Sequence, residues 1–425
     1  MVRSPLSNSR APKSALGHLR APQGRTGRLI CLAAAATLAA AACTPGGASP
    51  MGGGSRSGDD PLVTKALPPD VPGLTSLADG AAIPPELIPG YLPPTDMGGG
   101  RFSRPLKDTN GTIEWWVTGQ NDPSVEINWG DPAAYSDVPG VFTFRGANYR
   151  SSPAYGTPTV TQKQLQIEWT HPIGRVEAYD SIWPGAGWTG QPLLVNWPAA
   201  TKQAMGFPDS LVAQDDFVEV IYPVFDGHVY RLDMATGQPT KPAMQGTCPF
   251  KGTGSVDPRG YPLLYAGQGL PDINGEDCPW RYRVFDLIQN RQVTTWNGSD
   301  PDAPRSGWGA FDSSALVDKT SGYLLETGEN GLIYKVALAA QFDAAAGSVS
   351  VTPSFAKLAY KTSLSTRMGI ESSPAAYRNL LFTQDNDGIL AAWDAITLTN
   401  IWARAVGDDA DATILVEPKI GEVGA

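Results

Sequence analysis

The chain predicts an all-β fold: a β-propeller built of four-stranded antiparallel blades, about four to five of them recognisable. Three observations predict it. Glycine (47) and proline (38) are abundant, which suits many short strands joined by turns and disfavours long helices. Twelve tryptophans and fourteen tyrosines favour pleated, half-buried surfaces. Two sequence markers recur at fifty-odd residues, the length of one blade rather than of a helical repeat.

The first element is an export signal. Residues 1–28 carry Arg3, Arg10, Lys13, Arg20, Arg25 and Arg28 and no acid. The apolar run Leu29–Ala42 follows, too short for the roughly 20 helical residues that span a bilayer but right for a signal-peptide core. Ala40-Ala41-Ala42-Cys43 at its end resembles a bacterial lipobox, with alanine at 40 where leucine is usual. The resemblance implies that 1–42 is removed and that Cys43 carries lipid. Simple secretion and an uncleaved anchor are the alternatives. Residues 43–100 then read as a Gly/Ser/Pro-rich disordered tether, with a strap along the body as its alternative. The propeller domain is expected over 101–425.

Within that domain, strand-like stretches lie at 112–118, 141–145, 165–170, 192–197, 216–224 and 228–233, and continue to 400–406. Only 335–346 (KVALAAQFDAAA) looks helical. The first marker aligns Gly227, Asp233 and Gly237 with Gly388, Asp394 and Leu398; Gly331 and Asp286 belong to weaker copies. Positions 233, 286, 337 and 394 are spaced by 53, 51 and 57. The second marker is Ser255, Ser314 and Ser373, 59 apart both times. The chemistry of the first is structural. Glycine permits positive φ at the turn into the third strand, and the short aspartate caps the amides of the next turn. Trp402 falls where it can pack between blades, and Trp169 ends an equivalent fourth strand. Blades are expected near 188–245, 252–298, 307–360 and 370–406, with strands before 176 in part of another. Residues 410–425 look like the start of one more. The ring is thus incomplete: either a truncated propeller or an open arc whose edges need a partner.

Cys31 lies in the segment expected to be removed, leaving Cys248 and Cys278, which in an exported chain read as a disulfide. Zinc ligation competes, but only His171 and His228 remain to assist it. Both histidines read as structural. Acid clusters at Asp272–Asp277 and Asp385–Gly388 offer oxygens to calcium without full EF-hand spacing. The segments 183–190 (WPGAGWTG) and 307–309 (GWG) suit a sugar- or peptide-binding face as well as interblade packing. Without the six leading bases, 26 basic residues face 42 acidic ones. A surface that acidic excludes nucleic acid as a partner.

The Gly-x5-Asp-x2-Thr stretches, Ser372-Ser373-Pro374 through Trp402, and the opening Phe144-Arg145-Gly146 resemble the pyrroloquinoline-quinone (PQQ) repeat over residues 140–425. Proteins with that repeat include quinone-dependent alcohol dehydrogenases, the lipoprotein of the outer-membrane β-barrel assembly machinery, and exported propellers of unknown role. The enzymes hold the quinone and calcium on the propeller axis, commonly against adjacent cysteines. This chain has no adjacent cysteine pair. No catalytic motif is present either. The reading is a non-catalytic cell-envelope lipoprotein that binds a protein or an envelope polymer, with no catalytic, cofactor or metal residue assigned. A PQQ-dependent dehydrogenase with calcium is one alternative, and a truncated propeller without independent role is another.

Overall fold

The computed structural model describes residues 81–417, apart from 89, 158, 160, 179–180, 186–189, 246–247, 274 and 365. Cys43, the expected signal segment and most of the expected tether lie outside the described residues. The body is all-β, and every named strand pair is antiparallel. Four blades follow in chain order. The first contains Leu193–Val195, Glu219–Pro223, His228–Asp233 and Met244–Gln245, with Gly140–Val141 added inside Leu193–Val195. The second is Ser255–Val256, Leu263–Ala266, Arg281–Asp286 and Arg291–Asn297. The third is Leu316–Val317, Tyr323–Thr327, Leu332–Ala337 and Ser354–Thr362. The fourth is Ala375–Tyr377, Leu380–Gln384, Ile389–Asp394 and Thr399–Ala405. Apolar residues of the inner and second strands, such as Leu193, Leu264, Leu316 and Leu381, fall in one buried cluster that runs through all four blades. Burial of each such side chain contributes about 1.5–3 kcal/mol.

Strand pairing defines equivalent positions. The residue closing each third strand faces Glu219, Leu263, Tyr323 or Leu380. Two residues further along, Ile221, Tyr265, Leu325 and Phe382 face Leu193, Ser255, Leu316 and Ala375 of the inner strands. The true inner-strand spacing is therefore 62, 61 and 59 residues. This corrects the serine marker: Ser314 and Ser373 share the register of Thr253, not of Ser255. A two-residue shift returns a strand side chain to the same face, so both kinds of serine reach the axis. Ser255 Oγ lies 3.2 Å from Ser314 Oγ there.

The residues in the Thr253 register link neighbouring units. Gln191 N donates to Thr253 Oγ1 (2.9 Å), Ser314 N to Ser373 Oγ (3.0 Å), and Ser373 N to Thr413 Oγ1 (3.2 Å). Three residues on, the amides of Val256, Val317, Ala376 and Val416 donate to Phe142 O, the Tyr135 hydroxyl, Asn148 O and Tyr149 O. The segment 135–149 thus threads past all the inner strands, and 413–416 stands in the register of a fifth one. Arg150 closes this segment, fully buried. It donates to Thr143 Oγ1 and to the carbonyls of Phe144, Ser314 and Pro374 at 2.7–2.8 Å.

Several expected elements differ. Thr112–Gly119 pairs with the outer strand of the third blade and recruits Arg101–Pro105 and Thr95–Gly98, rather than starting another blade. Its alternating pattern records a sheet but not which sheet. Residues 165–170 form no strand. Trp169 instead donates to Met234 O and lies against Gly237 in the first blade. Of 141–145 only the first residue is in a strand. The stretch expected to be helical holds the end of Leu332–Ala337 and the hairpin strand Gln341–Asp343, because sheet pairing overrides alanine's helix preference. The short helices Ala199–Ala204 and Asp209–Val212 lie between the first two strands of the first blade, with no counterpart in the sequence reading. Part of the expected tether lies on the body: Ile83 is buried and exchanges hydrogen bonds with the Asn379 side chain.

Candidate functional site

Antiparallel pairing puts the start of each inner strand on the same face as the loop between the second and third strands. Four residues ahead of Ser255, Leu316 and Ala375 stand Lys251, Asp312 and Glu371. Asp411 stands two ahead of Thr413, as those three stand two ahead of Thr253, Ser314 and Ser373. The equivalent position of successive units thus forms a polar ring around the axis. Glu329 joins it from the loop between the second and third strands of the third blade. The Lys251 ammonium pairs with Asp312 and lies 3.8 Å from both Glu329 Oε1 and Glu371 Oε2. The second oxygen of Glu329 accepts from Trp308 Nε1 (2.5 Å) and lies 4.0 Å from Arg305. Against the ring lies a cavity of about 280 Å³ lined by Phe144, Thr253, Asp312, Glu371, Asp411 and Thr413, among others.

The electrostatics follow from burial and crowding. Burial, reinforced by the Asp312 charge, pushes the Glu329 carboxyl up to about 8. Burial and then Glu329 push Glu371 up to about 7. Burial also raises Asp312. Burial disfavours the Lys251 ammonium, but Asp312, Glu329 and Glu371 outweigh it and hold its pKa above the ordinary lysine value. At neutral pH the ring therefore holds a charged lysine and a protonated Glu329, with Glu371 close to its midpoint.

The repeat residues stand at the turns. Gly227, Gly331 and Gly388 have φ of 83°, 81° and 70°. Asp233 accepts from Ala235 N and the Thr236 hydroxyl, Asp286 from Ile288 N and Gln289 N, and Asp394 from Ile396 N, Thr397 N and Asn379 Nδ2, all at 2.7–3.0 Å. Gly237, φ 68°, packs beneath Trp169. Trp402 packs beside Phe382 of its own blade with Lys107 over its ring, not against another blade. Cys248 and Cys278 form a buried disulfide, Cα–Cα 5.5 Å, that ties the end of the first blade to the second, three residues before Lys251.

None of these repeat residues joins the axial ring. His171 and His228 are apart from it as well, packed against Tyr230 edge-on and tilted respectively. Asp272 and Asp277 face each other across a two-stranded hairpin. Asp385 accepts from Asp387 N, Ile389 N and the Tyr360 hydroxyl, so turn and core groups already use its oxygens. Trp308 reaches the ring, whereas 186–189 of the tryptophan/glycine segment lie outside the described residues. Lys251, Asp312, Glu329, Glu371 and Asp411 were not singled out by sequence reasoning. Their signal was the repeat itself, once its register is taken from strand pairing; Glu329 carried none.

The quinone and calcium implied by the repeat can be tested against these residues. A divalent ion needs carboxylate oxygens open to it. Here an ammonium stands among them, and the buried Arg150 guanidinium occupies the axis below. The residues present do not fit the ion.

No family model matches the chain, and no curated protein does. Among solved structures it is similar to the crystal structure of BamB from Moraxella catarrhalis, with 12% identity over 46% of this chain and a TM-score of 0.31. The alignment spans about half (51%) of that structure's length.

Proposed function

We propose that this chain is a non-catalytic cell-envelope lipoprotein, anchored through Cys43, that binds a partner protein or an envelope polymer at the axial mouth of its propeller. The observation that carries the reading is the mouth itself. It combines a cavity of about 280 Å³ with hydroxyl and carboxylate side chains from successive units and the Phe144 ring of the threading segment. Such convergent polar groups around a concavity are the usual anatomy of a binding site. Asp312, Glu329 and Glu371 are engaged by Lys251, Arg305 and Trp308 rather than paired with a nucleophile. That engagement places the quinone dehydrogenase second.

A photo-reactive amino acid at Trp308, compared with one at Arg404 on the fourth blade's outer strand, tests the site in native envelopes. A discrete cross-link to one envelope component from the mouth, absent from the outer strand, is expected. Equal cross-linking from both positions, or stoichiometric binding of the quinone with calcium by the purified chain, overturns the reading. Intact mass after detergent extraction tests the anchor: acyl chains on a species beginning at Cys43 are expected.

A further inference from the structure

We infer that Lys251 is the resident cation of the axial ring: its ammonium stands where a divalent ion would sit, and it is the residue that keeps the ring from taking one. The inference concerns the ring's own chemistry and holds whatever partner the mouth binds.

Four observations carry it. Asp312, Glu329 and Glu371 each bring a carboxylate oxygen within 4.8 Å of the others, the spacing of a cation site. Asp312 and Glu329 also hydrogen-bond to each other, so two buried carboxyls share a proton beside the third. Buried carboxyls crowded in this way call for a cation or a proton nearby. The Lys251 ammonium reaches all three carboxylates at once.

The lysine stem is also seated. A side chain at Gly269 would come within 2.5–2.6 Å of the Lys251 Cβ and Cδ, so the glycine leaves the groove in which the stem lies. The segment that carries it is held by the Cys248–Cys278 disulfide and by the bond from Gly269 N to Pro249 O. Lys251 stands in the same register as two of the acids it neutralises. One substitution in a repeated position therefore converts a ring of like charges into a self-compensated one.

The test replaces the lysine and offers the ion. The full chain, Lys251→Met and Lys251→Gln are titrated with calcium chloride by calorimetry. The same proteins are titrated with terbium, whose emission Trp308, bonded to Glu329, can sensitise. The wild-type chain is expected to show no saturable site. Either variant should gain one site with Kd of about 10⁻⁴–10⁻³ M, the range of extracellular calcium modules. It should also gain terbium emission and a calcium-dependent rise in Tm. Adding Glu329→Gln should abolish all three. Stoichiometric calcium binding by the wild-type chain overturns the inference. So do folded variants that bind no ion, or variants that stay unfolded in both the presence and the absence of calcium.

Discussion

Two cations stand on the propeller axis, Arg150 fully buried and Lys251 partly so, and their surroundings are opposite. Lys251 stands among three carboxylates at the mouth. Arg150, deeper and fully buried, has none in contact: its acceptors are a hydroxyl and three backbone carbonyls. Burial lowers the arginine to about 10, still charged at neutral pH, whereas the carboxylates raise the lysine. The guanidinium works by shape. Its planar fork reaches oxygens from the threading segment and from the third and fourth blades, which a flexible ammonium cannot do together. The ammonium works by charge, since without it the ring would hold four acids, Asp312, Glu329, Glu371 and Asp411, and little to balance them. One cation organises the axis, and the other sets the electrostatics of its opening.

That contrast is open to breaking. The largest effect is expected from Arg150→Met, which strands buried carbonyls of Phe144, Ser314 and Pro374. A loss of about 3–5 kcal/mol in urea unfolding should follow. Arg150→Lys should recover only part of it, and full recovery would show that charge rather than geometry is what the site requires. Lys251→Met without calcium should cost about 3 kcal/mol at pH 8, the cost of leaving a buried acid unpaired. The loss should shrink at pH 6, where the carboxyls take up protons; Arg150→Met should show no such pH dependence.

A smaller effect belongs to Glu329. Its folded pKa of about 8 exceeds the ordinary 4.5, so the folded chain holds a proton that the unfolded chain releases. Stability should therefore fall as pH rises from about 5 to 8 and level off above, by of the order of a few kcal/mol. Glu329→Gln should flatten that profile; an unchanged slope would place the titration elsewhere. Smallest of all, Gly269→Ala should cost about 1–2 kcal/mol by displacing the lysine stem while leaving every charge in the chain. Calorimetry of that variant at pH 7 separates the seating of Lys251 from its charge.

Much of the fold was legible because its signals are short-range. A glycine, an aspartate six residues on and a turn after it interact within one hairpin, so Asp233, Asp286 and Asp394 could be placed as turn caps without knowledge of their neighbours. The spacing of third-strand ends, 233, 286, 337 and 394, matches the strand pairs. Legibility failed where two strands of similar pattern compete for one edge. Thr112–Gly119 reads the same whether it opens a blade or extends the third. The serines misled because a two-residue slip leaves the face of a strand unchanged. The site was least legible, since Lys251, Asp312 and Glu371 are about sixty residues apart and unlike in type, and no local pattern marks them.

By itself, then, the sequence determined a repeated antiparallel β body, the turn chemistry of its blades and an acidic composition. Each of these depends on residues that meet within one hairpin or on composition alone. Only the tertiary structure decided which strands share a sheet, that Arg150 pins the inner strands, and that Lys251 meets Asp312, Glu329 and Glu371. Those contacts exist because the blades bring distant, equivalent positions to one axis, and their energies depend on burial that no single segment possesses before the blades assemble.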